Sequence, residues 1–401
     1  MPQSQVTILC LASYYKGHDF IREAHAQGAR VLFVTRESLR DLEWPRDSID
    51  DLLLMPDLTV RDHVINGISW LARKEKIDRI VPLDEFDLEM ASTLREHLRV
   101  PGMGESTVRY FRDKLAMRMQ AESRGVLVPD FVPILNYDRI REFLDRVPPP
   151  WFLKPRFSAS AIGIKRINEA AELWPLLDEL GDKQSFHLLE RYVPGDVFHV
   201  DAVAWEGKVV FAETHGYFNP PFDVYHGGGL FCTRTLDRRS AQSQTLADLN
   251  TEVVTALGLT RGALHTEFIR GRDDGRYYFL ETAARVGGAN IVALVEAATG
   301  LNLWREWARL EVASARGEEY ALPNVRTDHA GLLISLARQE WPDLGAYNDS
   351  EITWRLQKKH HAGLIVASAD SSRVEALLGA YMPRFREDFM ATMPAATEAT
   401  E

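Results

Sequence analysis

Two glutamates, Glu267 and Glu281, have the spacing of a cation site. They fall on two apolar and aromatic runs, Ala263 to Ile269 and Tyr277 to Ala283, joined by Arg272-Asp273-Asp274-Gly275-Arg276. Asp-Asp-Gly between such runs signals a β-hairpin. A turn centred on Asp274 sets Glu267 opposite Glu281. Cross-strand partners lie roughly 5 Å apart at Cβ, and like charges there repel. The pair therefore points to a bound cation or to a raised pKa. Arg285 follows four residues after Glu281, and then Gly287-Gly288. Two acids for a metal, an arginine for an anion and a glycine pair for close backbone approach make a phosphate site. The alternative is a solvent-facing hairpin edge, which the neighbouring Phe268, Ile269, Phe279 and Leu280 disfavour. A second signal lies upstream. The apolar run from Trp151 delivers Lys154 into a loop of small residues, Ser158-Ala159-Ser160-Ala161. Small side chains let backbone N–H groups approach phosphate oxygens, and the lysine adds a point charge. An ordinary hairpin loop fits that segment equally well.

The elements that must position these groups alternate along the chain. Val6 to Leu11 and Val31 to Val34 read as buried strands around a helix, Asp19 to Gln27, that Gly28 ends. A helix over Val60 to Lys76 and a strand over Arg79 to Leu83 continue the pattern, so a parallel sheet is expected. No GxGxxG fingerprint accompanies it. Asp84, Glu85 and Asp87 follow the last strand and read as solvated loop acids more readily than as a ligand crevice. One helix is expected over Ser106 to Gly125, with Lys114 near its middle. Thr214 to Cys232 reads as a loop rich in Gly, Pro and aromatics, the segment that would contact substrate. Ser240 to Leu257 is an amphipathic helix, and the part after Ala330 reads as further α+β structure.

Composition excludes several classes. The chain has 401 residues, enough for two to three domains. Hydrophobic residues make up 45% and charged residues 26%, as in a soluble globular protein. A net charge of −11 argues against a nucleic-acid partner. Two cysteines, far apart, suggest no disulfide framework, and a reducing cytoplasm is expected. No stretch has the ~18 apolar residues of a membrane span, and no signal peptide is legible.

Taken in order, these motifs resemble the ATP-grasp superfamily, in particular its carboxylate–amine ligases, including L-amino-acid ligases. The likeness runs from about Val6 to Leu310. It rests on Arg112-Asp113-Lys114, on Gly125-Val126-Leu127-Val128-Pro129, on Leu153-Lys154-Pro155 with Ser158 to Gly163, on Glu190-Arg191-Tyr192-Val193-Pro194-Gly195, on His265-Thr266-Glu267-Phe268, and on Glu281 through Gly288. The resemblance implies an α/β chain with the α+β ATP-grasp fold. A parallel-sheet pre-ATP-grasp domain (1–104) would precede a lid subdomain (105–185), a core with the metal hairpin (186–315) and a C-terminal α+β portion (316–401).

By the same resemblance, Lys114 and Lys154 contact ATP phosphates, with Ser158 and Ser160 in the closing loop. Glu190 holds the adenine amino group, and the Tyr192 and Val193 backbone bonds the ring edge. Glu267 and Glu281 ligate magnesium, with manganese as a substitute. Arg285 stabilises the reacting group, and Gly287 and Gly288 turn backbone toward it. Val197 stands where many members carry a ribose-binding acid, so Asp196 is the expected replacement. Ala283 stands where many carry an asparagine ligand, which leaves one or two magnesium ions open. His226, Gly228 and His265 are expected near substrate, the two histidines as candidate bases. The implied reaction joins a small carboxylate to an amine, amino acids or short peptides by default, through an acyl phosphate. A non-amine acceptor (bicarbonate, a thiol or a phosphorylated metabolite) and a non-catalytic nucleotide-binding regulator are the alternatives. A homodimer is compatible with this reading.

Overall fold

The computed structural model describes residues 5–158 and 162–391. Its first sheet is parallel: β1 (Thr7–Ala12), β2 (Arg30–Arg36), β3 (Asp51–Met55) and β4 (Arg79–Pro82), in the order β3-β2-β1-β4. The central strands are buried on both faces, as parallel strands under helices must be. Ile8, Cys10, Val31 and Phe33 pack in one core, and Leu9, Leu11, Leu32 and Val34 in another. β3 carries no alternating pattern that would announce it in the sequence.

A small antiparallel sheet follows: β5 (Phe131–Pro133), β6 (Trp151–Pro155), β7 (Lys165–Ile167) and β8 (His187–Arg191), in the order β5-β8-β6-β7. One face buries Val132, Trp151, Leu153 and Leu189 against the helices Tyr137–Arg146 and Ala170–Leu180. The large sheet has eight antiparallel strands: β9 (Gly195–Trp205), β10 (Lys208–Tyr217), β11 (Phe231–Thr235), β12 (Gly262–Gly271), β13 (Tyr277–Ala283), β14 (His329–Leu336), β15 (Ile352–Arg355) and β16 (His361–Ser368), in the order β13-β12-β9-β10-β11-β14-β16-β15. Strand partnership does not follow the lines expected at 185 and 315. β8 completes the small sheet, and the three last strands extend the large one.

Period-two alternation divides β9 cleanly. Phe198, Val200, Ala202 and Ala204 pack against the helix Ala241–Leu257. Their neighbours Val197, His199 and Asp201 point to the opposite face. The helix Leu303–Arg316 joins first and large sheets, since Leu303, Trp307 and Leu310 share a core with Phe20, Phe33 and Val203.

Three expectations require correction. The helix expected over Ser106 to Gly125 is two, Glu105–Arg112 and Lys114–Ser123. Asp113 leaves helical geometry and accepts from the Leu115 N–H, so it caps the second helix. The loop expected over Thr214 to Cys232 is mostly ordered: β10 runs to Tyr217, a short helix spans Pro221–Gly227, and β11 begins at Phe231. Asp84, Glu85 and Asp87 are buried rather than solvated.

Candidate active site

The acidic hairpin forms as its spacing requires. His265, Thr266 and Glu267 on β12 pair with Ala283, Thr282 and Glu281 on β13. A bulge between Glu267 and Phe268 then shifts the register, so Phe268 faces Phe279. On the other side of β12, Glu267 is opposite His199 of β9, and His199 is opposite His215 of β10. The row His215, His199, Glu267, Glu281 therefore crosses four strands. The adjacent row is Glu213, Asp201, His265, Ala283.

Three residues of these rows, His265, Glu267 and Glu281, floor one end of a cavity of about 380 Å³ between the small and large sheets. Lys114, Lys154, Glu190, Glu267, Glu281 and Arg285 all line it, with Tyr192, Val193, His265 and Gly288. The opposite end is apolar, built from Phe152, Ile164, Val197, Ile269 and Leu280. Phe222, from the short helix on the large sheet, lies against Phe152 of the small sheet with ring centroids 4.5 Å apart. The predicted acids, lysines and arginine, distant in sequence, thus meet around one space.

The charges pair with one another. Lys114 opens its helix, where Cβ geometry and the cap at Asp113 aim it into the cavity. Its Nζ donates to the Ser158 carbonyl at 2.6 Å and lies 2.8 Å from Glu281 Oε2. Lys154 pairs with Glu190 Oε1, and Arg118 donates to Glu190 Oε2 at 2.7 Å. Burial pushes the Lys154 ammonium pKa below its usual range, against the pull of Glu190. Burial raises Glu190, but Arg118 and Lys154 outweigh it and hold the carboxyl below its usual range. Arg118 Nη1 is buried with no hydrogen-bond partner among the described residues. Arg118 escaped sequence reading, although its i+4 spacing from Lys114 puts both on one helix face.

Arg285 does not pair with Glu281. It donates through Nε and Nη2 to Glu85 Oε2, at 3.2 and 2.6 Å, and Arg112 donates to Glu85 Oε1 at 2.9 Å. Burial raises the Glu85 carboxyl, but the two guanidiniums outweigh it and hold its pKa at about 2. One acid at the end of β4 thus orients the cavity's arginine.

Other predicted residues fall elsewhere. Asp196 is exposed at the start of β9, while Val197 faces the cavity, so alternation carries the expected ribose acid away from it. The Tyr192 N–H donates to the Pro150 carbonyl at 3.1 Å and is not free for a ring edge. His226 and Gly228 are exposed and do not line the cavity. Ser158 flanks it through the carbonyl that Lys114 holds. Ser160 lies outside the described residues. Gly287 is buried beneath the site. A Cβ there would stand 2.8 Å from Asp201 Oδ1 and 3.1 Å from His265 Nδ1, whereas one at Gly288 would meet nothing within 4 Å. Gly287→Ala should therefore cost about 1–3 kcal/mol of stability by overpacking, with Gly288→Ala near neutral, as read by chemical denaturation. Equal stabilities for the two would show that this packing does not hold.

Comparisons with known proteins agree with this architecture. No family model matches the chain. An L-arginine-specific L-amino acid ligase of Bacillus subtilis is 24% identical over 273 residues, 66% of this chain and 63% of the relative, so less than two thirds of that protein is spanned. A D-alanine–D-alanine ligase of Neisseria gonorrhoeae is 23% identical over 221 residues, 51% of this chain and 69% of the relative. Among solved structures, an L-amino acid ligase from Bacillus licheniformis superposes with a TM-score of 0.75 at 17% identity, covering 96% of this chain and 98% of its own. An N5-carboxyaminoimidazole synthetase from Staphylococcus aureus complexed with ADP gives 0.68 at 15% identity, covering 94% and 97%. The chain has the ATP-grasp fold, and amino-acid ligases stand among the relatives that it matches in sequence.

Proposed function

We propose that the chain is an ATP-dependent ligase that joins a small carboxylate to an amine, releasing ADP and phosphate. The observation that carries this reading is the convergence of Glu267, Glu281, Lys114, Lys154 and Arg285 on one cavity whose far end is apolar. The apolar slot suits an adenine ring, framed by Phe152, Ile269 and Leu280, with Val193 and the Tyr192 carbonyl at its edge. The lysines suit phosphates. The two facing glutamates fit magnesium, or manganese in its place, since hard cations take carboxylate oxygens. Bound there, the ion would neutralise charge between the β- and γ-phosphates.

A substrate carboxylate oxygen attacks the γ-phosphorus, the β–γ bridge breaks, and ADP leaves. The amine nitrogen then attacks the acyl carbon, and the C–O bond to phosphate breaks. Lys114 and Lys154 hold phosphate oxygens, and Arg285, kept in place by Glu85, holds the developing oxyanion. The amine proton passes to water. His265 is unsuited to accept it. Its Nδ1 is tied to Asp201 Oδ1 at 2.9 Å, and its Nε2 faces Glu267 Oε1 at 3.7 Å. His226 is outside the cavity, bonded to the Phe222 carbonyl.

Amino acids or short peptides are the proposed substrates, by likeness to the relatives. We place the protein in the cytoplasm, which suits two buried free cysteines. No helix among the described residues is long and apolar enough to cross a membrane. A homodimer is proposed without a partner surface assigned. The test is ADP release over a panel of amino acids, singly and in pairs, with mass spectrometry of the product. An amide that forms only with ATP supports the reading. A carboxylated, thioester or phosphorylated product, or nucleotide binding without turnover across the panel, overturns it.

A further inference from the structure

Beneath the metal hairpin lies a buried polar chain that the proposed reaction leaves without a role. His199 Nε2 is 2.8 Å from Thr233 Oγ1, and His199 Nδ1 is 2.7 Å from Asp201 Oδ2. Asp201 Oδ1 is 2.9 Å from His265 Nδ1, and His265 Nε2 is 3.7 Å from Glu267 Oε1. Tyr217, reaching over from β10, donates to the same Glu267 oxygen at 2.9 Å. His199, Asp201, His215 and Thr233 are 0% exposed. The His199 ring stacks on His215 at 4.6 Å, which fixes its plane.

Two uses of such a cluster compete. His199, Asp201 and His265 have donor atoms close enough to enclose an ion. The spacing decides against it. Donors of a tetrahedral site with metal–nitrogen bonds of about 2.0–2.1 Å stand about 3.3 Å apart. Here Asp201 sits at 2.7 and 2.9 Å from its two histidines, which is hydrogen-bond spacing. Both Asp201 oxygens are taken, and the bond at Nδ1 settles which way the His265 ring faces. That ring presents Nε2 to Glu267. The absent Cβ of Gly287 leaves room for the Asp201–His265 contact.

We propose that Asp201 and His199 are positioning residues that act through His265 to hold the Glu267 carboxylate in its metal-binding orientation. This rests on the reading of Glu267 as a magnesium ligand. The chain runs inward from the ligand: Glu267, His265, Asp201, His199, Thr233. The first link is a 3.7 Å contact, and the three behind it stand at 2.7–2.9 Å, hydrogen-bond distance, so they fix the ring that faces Glu267. Partners behind a metal ligand characteristically change metal affinity about 10–100-fold when removed.

The experiment measures Mn2+ binding by electron paramagnetic resonance in the presence of saturating ADP, on the full chain, which needs no knowledge of the substrates. Asp201→Asn should weaken Mn2+ binding at least about 10-fold, and metal-free ADP binding should change less than about 2-fold. Thr233→Val, isosteric and at the far end of the chain, should weaken it by a smaller factor. It keeps the proposal testable if Asp201→Asn does not fold. A general loss of stability would lower the melting temperature without separating metal from nucleotide. Folded Asp201→Asn protein with wild-type Mn2+ affinity overturns the proposal and leaves the ligase reading standing. Folded Thr233→Val with wild-type affinity overturns it if Asp201→Asn is unfolded. So does a zinc ion that copurifies and is lost in Asp201→Asn, because these groups would then be ligands themselves. Wild-type protein that binds no Mn2+ with ADP overturns the magnesium reading itself.

Discussion

Glu281→Gln should lower ADP release by about 10²–10³-fold while leaving the fold intact. Removal of a single preorganised charge-stabilising group at a reaction centre has that order of effect. Glu281 has one ion-pair partner and shares the proposed cation with Glu267. Its Oε2 is 2.8 Å from Lys114 Nζ, and it faces Glu267 across the hairpin. The amide keeps the shape and removes the charge, so Lys114 is left without its carboxylate and the proposed cation with one acid in place of two. The side chain is 34% exposed, so the ion pair adds little to stability, within about 1 kcal/mol. A coupled ADP assay beside a denaturation curve checks both halves. Full turnover by the glutamine variant would remove Glu281 from the proposed machinery.

The second large effect belongs to Glu85, and it is one of stability as well as activity. Glu85→Gln leaves Arg285 and Arg112 facing a neutral amide in a buried setting, and breaking a buried pair from one side costs about 3–5 kcal/mol. Arg285 then keeps only its bond to the Val286 carbonyl and a neutral acceptor, so it is held less firmly and turnover should fall even in the folded fraction. The pH dependence has a definite sign. The folded carboxyl titrates at about 2 against an ordinary 4.5, because two guanidiniums outweigh the cost of burial. Its contribution, on the order of 3 kcal/mol, is present above pH 4.5 and is lost as pH falls from 4.5 toward 2. Urea denaturation of wild type across that window should show the decline, and Glu85→Gln should lack this part of it. Parallel curves for the two proteins would contradict the assignment.

What could be read in the sequence was whatever a local pattern determines. The Asp-Asp-Gly turn set the register of Glu267 and Glu281, and the apolar run before Lys154 set a strand. Glu85 shows the limit. Its partners are Arg112 and Arg285, the latter 200 residues away, and nothing around Leu83-Asp84-Glu85-Phe86 announces them. The two helices around Asp113 read as one because their apolar positions continue across the break. Only the N-cap role of aspartate hinted at it. The Asp201 chain was invisible for a related reason. His199, Asp201 and His265 come together through strand pairing, and β9 reads as an ordinary apolar strand with polar interruptions. Asp196 stands one residue from the cavity-lining Val197, which in a strand means the opposite face.

The position of β11 bears on the fate of the chain in the cell. It is hydrogen-bonded on one side to β10, which carries Tyr217 and His215, and on the other to β14. Everything beyond β14, with the helix Ser371–Asp388 over Leu333, Leu364 and Val366, closes that flank. A protease cut or premature stop near residue 316 would therefore uncover a raw strand edge at β11, and would also strip Leu294 and Ala298, on the helix after Gly288, of their partners Ala330, Leu332 and Ile365. Such edges recruit strands from other molecules. A chain truncated there is expected to aggregate, which light scattering of the shortened protein would check.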